Sequence, residues 1–225
     1  MSLYGTTFPL WRASAGAHWE AFTHHAFVAQ LADGSLPREA FLYYLRQDYV
    51  FLIHFSRAWA LAVTKADTVG EMRIAANTVQ ALICDEMELH LRICAEEGLD
   101  EETLFATEED PANIAYTRYV LDAGHSGDFL DLLVALAPCV LGYGEIGRRL
   151  DPAATHGAYR DWIETYGGAD YQETCEAVGA LIDGAVARRL GDSPQQGPRW
   201  TALCNRFRIA TRLEAGFWEM GLAAA

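Results

Sequence analysis

Cations are scarce in this sequence. Its 225 residues carry 17 Lys and Arg against 31 Asp and Glu, a formal net charge of −14. A chain this acidic repels polyanions, so neither nucleic acid nor an anionic membrane surface is an expected partner. No basic run of five or more residues interrupts that pattern. Paired cysteine motifs are missing as well. Cys84, Cys94, Cys139, Cys175 and Cys204 form no C-x-x-C pair, are odd in number and sit inside apolar helical patterns. A disulfide framework and a thiolate zinc site are therefore not expected. Long hydrophobic runs are absent too: the longest uncharged stretch, Leu132 to Gly144, has 13 residues, against the ~20 that span a bilayer as a helix. Met1 to Gly5 has neither the basic start nor the apolar centre of a secretion signal. The expectation is a reduced, soluble, cytoplasmic protein with no membrane contact.

What is there is helical periodicity, with no alternating strand pattern, repeat or low-complexity segment. Hydrophobic residues are 51% and charged residues 21%, enough apolar surface for one substantial core. A first helix is predicted over about 7–32, ending at Asp33-Gly34. Ser35 is the expected cap of the second, with Pro37 in its first turn. Along it Phe41, Tyr44, Leu45, Asp48, Phe51, Leu52, Phe55 and Trp59 fall on one stripe. Thr68-Val69-Gly70-Glu71 has the form of a capping box for a third helix reaching Gly98. Asp110-Pro111 opens a fourth, and Asp128 a fifth that runs to about Leu150. Thr155 is the expected cap of a short sixth helix ending near Tyr166. A seventh covers about 170–190, and after the loop Gly191 to Pro198 a last helix covers about 199–222. The fold class predicted is all-α, a single-domain helical bundle over residues 1–225.

Burying an ionisable group costs several kcal/mol unless it is paired, so acids on apolar stripes need a reason. Asp48 shares a face with Tyr44 and Phe51; it reads as a paired structural acid or as a recognition group. Glu214 shares a face with Phe217 and Trp218; it reads as a solvated glutamate at the helix rim or as a buried acid. Cys139 follows Pro138 inside an apolar helix, with Tyr143 one turn further on. Proline removes a backbone hydrogen bond there and can leave the helix irregular beside the thiol. The other four cysteines read as structural. Tyr116, and Tyr166 after Trp162, fall at bundle-facing positions. Two acids, a thiol and several phenols on separate helices suit the lining of a pocket for a flat polar heterocycle.

These residues are also where the chain resembles the TenA (thiaminase II) family. The likeness is carried, in order, by His25-Ala26-Phe27-Val28, Asp33-Gly34-Ser35-Leu36-Pro37, Tyr44-Leu45-Arg46-Gln47-Asp48, Glu86 with Leu89-His90, Pro138-Cys139 with Tyr143, Trp162-Ile163 with Tyr166, and Glu214 with Phe217-Trp218. Each piece is weak alone, and their order along nearly the whole chain makes the match specific. The resemblance implies a heme-oxygenase-like fold and hydrolysis of 4-amino-5-aminomethyl-2-methylpyrimidine to the 5-hydroxymethyl product with release of ammonia. Thiamin is an expected side substrate. It further implies a homotetramer, no metal and no cofactor, and membership of the branch that has the helix cysteine.

On that resemblance Cys139 is the expected nucleophile, Glu214 the acid–base group, and Asp48 the partner of the aminopyrimidine edge. Phe51 would stack on the ring, and Tyr44, Tyr116, Tyr143 and Tyr166 would line and position it. The chain departs from the family in having Phe51 where tyrosine is frequent, and Ala26 where proline follows the histidine.

Glu86 and His90, one helical turn apart, have metal-ligand spacing or form a buried hydrogen-bonded pair. With Glu145 they begin the ligand set of a dinuclear-iron oxygenase, the rival enzyme reading. No histidine follows His156, so the late helices lack a D-x-x-H or E-x-x-H pair. The non-enzyme rival is a regulatory protein that holds a pyrimidine without turning it over.

Overall fold

Local capping signals decide where most of the helices begin. In a computed structural model, which describes residues 4–224, Thr68 accepts from the Glu71 N–H at 3.1 Å while Glu71 reaches back to the Thr68 N–H, a complete capping box. Asp110 accepts from the Ala112 N–H at 2.8 Å ahead of Pro111, and Asp128 accepts from the Leu130 and Asp131 N–H groups. These three starts are the predicted ones. The helices in chain order are α1 Thr7–Ala15, α2 Ala17–Thr23, α3 Ala26–Asp33, α4 Arg38–Lys65, α5 Val69–Ala81, α6 Met87–Glu96 and α7 Glu101–Phe105. Then follow α8 Pro111–Ser126, α9 Phe129–Arg149, α10 Ala158–Gly167, α11 Ala169–Leu190 and α12 Pro198–Ala223. No strand occurs among the described residues.

Four expectations need correction. The first predicted helix is three: Gly16, at φ +56°, turns the chain between α1 and α2. His25 then caps α3 by accepting the Phe27 N–H at 3.2 Å. Ser35 does not cap α4. Its N–H instead donates to Asp33 Oδ1 at 2.9 Å, and Pro37 stands at the helix start. Thr155 does not cap α10, which begins after Gly157. The third predicted helix is broken by a π-helical turn, Leu82–Glu86, between α5 and α6. Each miss involves backbone geometry that hydrophobic periodicity does not report.

The long helix α9 sits at the centre, packed by α12, α11, α10 and α8, with α4 beside it. By length and composition it is apolar enough to cross a membrane, yet its residues are buried inside the bundle. The helix continues through Pro138, which lacks the N–H that would bond the Val134 carbonyl. Helix α10 crosses α9 at very close range: a Cβ added to Gly147 would lie 2.3 Å from the Tyr166 carbonyl carbon. Only glycine allows that approach, which sets the Tyr166 ring 5.0 Å from that of Tyr143 on α9.

Candidate active site

The site is assembled from six elements that share no sequence neighbourhood. Asp48 on α4 is buried, and its Oδ2 accepts from the Tyr44 hydroxyl at 2.9 Å and from His90 Nε2 at 2.7 Å. The other His90 nitrogen donates to the Glu86 carbonyl at 2.8 Å. With a carboxylate on one nitrogen and a carbonyl on the other, the ring is held as the imidazolium. Burial is the largest single influence and opposes that charge, but the Asp48 hydrogen bond and charge, with the Glu86 charge and carbonyl, together outweigh it and raise the His90 pKa. Trp162 Nε1 donates to the Tyr44 oxygen at 3.2 Å, extending the chain to α10.

Glu214 has no such cation. It is 2% exposed, so the rim reading fails, and its Oε1 accepts from the Tyr116 hydroxyl at 2.6 Å. Burial pushes its carboxyl up to about 8; the Tyr116 hydrogen bond opposes this and the nearby Asp48 charge adds to it. Phe51 stands between these groups, with ring centroids 5.1 Å from Tyr116 and 5.4 Å from Phe217. No hydrogen bond among the described residues reaches Oδ1 of Asp48 or Oε2 of Glu214.

Cys139 lies within electrostatic reach of Glu214, Glu86 and Asp48, and burial together with those acids holds its thiol well above the ordinary value. The free site therefore keeps the sulfur protonated. Tyr143 packs at 5.0 Å from Tyr166 and 5.3 Å from Trp218. Cys139 also lines a cavity of about 750 Å³ that opens beside the π-helical turn, with Phe55, Leu82, Glu86 and Tyr171 among its walls. Of the eight predicted site residues only Cys139 forms part of that wall. Asp48, Glu214, Tyr44, Phe51, Tyr116, Tyr143 and Tyr166 are buried outside it.

The description of the TENA/THI-4/PQQC family matches residues 12–224. The chain belongs to this family. A TenA family transcription regulator from Silicibacter sp. TM1040 is 61% identical, with a TM-score of 0.95 over 98% of each chain. The aminopyrimidine aminohydrolase of Bacillus subtilis is 33% identical over 93% of this chain and 86% of its own. A Shewanella denitrificans domain with a heme oxygenase-like fold is 14% identical with a TM-score of 0.60 over 95% of this chain and 90% of its own; that likeness shows the fold alone.

In this TenA-family chain Glu86 and His90 are hydrogen-bonded, through the Glu86 backbone carbonyl and not its carboxyl. His90 turns to Asp48 and meets only the backbone of Glu86. The Glu86 carboxyl accepts from the Tyr166 hydroxyl at 2.6 Å and faces the cavity. Glu145, the third residue of the iron reading, pairs with Arg12 at 3.0 Å and Trp19 Nε1 at 3.2 Å instead. Among the described residues no group of three His, Cys, Asp or Glu side chains is placed to hold a metal ion. Sequence reasoning left Glu86 off the list of site residues, and Tyr171 with it. The available signal for Glu86 was an acid within the E-x-x-L-H segment, but the turn that aims it is a feature of the backbone.

Proposed function

We propose that this protein hydrolyses 4-amino-5-aminomethyl-2-methylpyrimidine to the 5-hydroxymethyl pyrimidine and ammonia, and cleaves thiamin as a second substrate. The observation that carries the reading is a thiol in the cavity wall within electrostatic reach of Glu214, Glu86 and Asp48, of which burial pushes Glu214 up to about 8 and Glu86 up to about 7. The name of the Bacillus subtilis relative supports the substrate class.

The chemistry follows from the charges. A thiol held protonated by its surroundings is a poor nucleophile, so its proton must leave as the sulfur attacks. Glu214 accepts that proton and passes one to a ring nitrogen, while Cys139 Sγ bonds a ring carbon beside the one bearing the aminomethyl group. The ring loses aromaticity, and its electrons then expel the exocyclic amine as ammonia. Water adds to the exocyclic carbon, the C–S bond breaks, and the ring proton returns to sulfur through Glu214. The balance is one water consumed and one ammonia released.

Asp48 binds the amino edge of the ring, where a carboxylate complements N–H donors. The His90 imidazolium, 2.7 Å from Asp48 Oδ2, balances its charge. Phe51 stacks on the ring. Tyr44, Tyr116, Tyr143 and Tyr166 orient the ring and the acids, their phenols held neutral by burial.

Mixing the purified protein with the aminomethylpyrimidine and assaying ammonia tests the reading. Stoichiometric binding without ammonia would instead favour the regulatory reading. A homotetrameric, cytoplasmic enzyme belongs to the same proposal, and light scattering on the eluted protein checks the assembly.

A further inference from the structure

Glu214 does not line the cavity. It is buried with one oxygen held by the Tyr116 hydroxyl, whereas Glu86 is partly accessible and lines the cavity together with Cys139. Substrate and water that enter by this cavity reach Glu86 on the same wall as the sulfur. The placement is built in twice. The π-helical turn Leu82–Glu86 interrupts the α5–α6 path at this residue, and such turns are frequent at functional sites. On the opposite side, the contact of α9 and α10 at Gly147 sets Tyr166, whose hydroxyl fixes one Glu86 oxygen. No hydrogen bond among the described residues engages the other oxygen, Oε2.

We propose that Glu86 is the second acid–base residue of the site, serving the exocyclic nitrogen and the water that replaces it, while Glu214 serves the ring. This rests on the aminopyrimidine-hydrolase reading above. In the first half, the Glu86 acid and the amino group share one proton, which stays with nitrogen as the C–N bond breaks. Ammonia departs and Glu86 is left as the carboxylate. In the second half, water bonds the exocyclic carbon and gives a proton to Glu86, restoring the acid. Two carboxyls with separate duties remove the need for one group to reach both the ring nitrogen and a water on the opposite side of the sulfur.

The groups facing Glu86 are Asp48 from α4, His90 from α6, Cys139 from α9, Tyr166 from α10, and Tyr171 and Cys175 from α11. Asp85, Glu88, Glu164 and Asp170 stand around the cavity with the Arg92 cation. Burial pushes the Glu86 carboxyl up to about 7, the Asp48 charge adds to that, and Tyr166 and His90 oppose it. A carboxyl poised there is usable both as acid and as base at neutral pH.

The test measures ammonia release from the aminomethylpyrimidine by wild type, Glu86→Gln and Tyr166→Phe, as kcat and KM across about pH 5 to 9. Glu86→Gln is expected to lower kcat by ~10²-fold or more, to leave KM and the affinity for the hydroxymethyl product nearly unchanged, and to remove the limb near pH 7. Tyr166→Phe is expected to keep that limb and move it upward, because the carboxylate loses its hydroxyl donor. A Glu86→Gln enzyme of near-normal kcat, or one that is slow but retains the limb, overturns the proposal. If Glu86→Gln does not fold, a limb left in place by Tyr166→Phe overturns it equally. Wild type that makes no ammonia overturns the hydrolase reading and this inference together, whereas active wild type with an unaffected Glu86→Gln overturns the inference alone.

Discussion

Two regions of this bundle are built on opposite principles. Where α1 and α2 meet α12, Phe8, Trp11, Trp19 and Phe207 fill the space with rings; Trp19 lies stacked at 5.6 Å on Phe207, and Phe8 meets Trp19 edge-on at 5.4 Å. That region gains stability from apolar area and ring packing. Around the middle of α9, Asp48 and Glu214 are as inaccessible as the rings, and Glu86 sits beside them. One of these acids is paired with an imidazolium, while Glu214 has only a phenol. A fold that needed only stability would fill this space with leucine. The contrast teaches that the aromatic end holds the chain together, while the central acids sit there at a cost in stability, which is what the acid–base duty proposed for them would require.

The sharpest way to break the comparison is at the sulfur. Cys139→Ser is expected to abolish ammonia release while leaving the melting temperature within a few degrees of wild type; near-normal turnover would refute covalent catalysis. At Glu214, exchange to Gln is expected to slow ammonia release by ~10²-fold or more, and an unchanged rate would remove it from the acid–base chemistry.

The same variant has a second signature in stability. Because the folded state raises the Glu214 pKa from 4.5 to about 8, it binds more protons than the unfolded chain between those values. Stability therefore falls as pH rises through that window. His90, also raised, acts in the same direction. Thermal melts between about pH 5 and pH 9 should show Glu214→Gln gaining on wild type steadily as pH rises and levelling off above about pH 8, by about 2–4 °C for each kcal/mol recovered in a domain of this size. A parallel pair of curves would mean that Glu214 bears no burial cost.

In the aromatic region the expected pattern reverses. Trp11→Ala should cost about 3–5 kcal/mol and lower the melting temperature by about 10 °C, with kcat of the remaining folded enzyme little altered. A selective loss of turnover would show that the two regions are coupled. The smallest of these effects is expected at Asp48. Its exchange to Ala should raise KM more than it lowers kcat, and an unaltered KM would contradict its role at the amino edge.

Legibility followed the range of the signal. Helix starts at Thr68, Asp110 and Asp128 were readable because a cap is a contract between residues two or three apart. The break at Gly16 was hidden because periodicity counts side chains and not φ. Asp48 and Glu214 stood out as acids on apolar stripes, but their partners did not: His90 lies 42 residues from Asp48, and Tyr116 lies 98 from Glu214. Pairing at such distances depends on how helices cross, and a lone sequence carries no record of it.

By itself, then, the sequence determined the helical class, the caps that start several helices, and the set of thiol, acids and phenols available to a site, since all of these are local or compositional. Only the tertiary structure decided which acid received a cation, which was left to a phenol, and that Glu86 rather than Glu214 faces the cavity with Cys139. The physical reason is that burial and neighbouring charge set what an ionisable group does, and both are properties of the packed interior rather than of the residue.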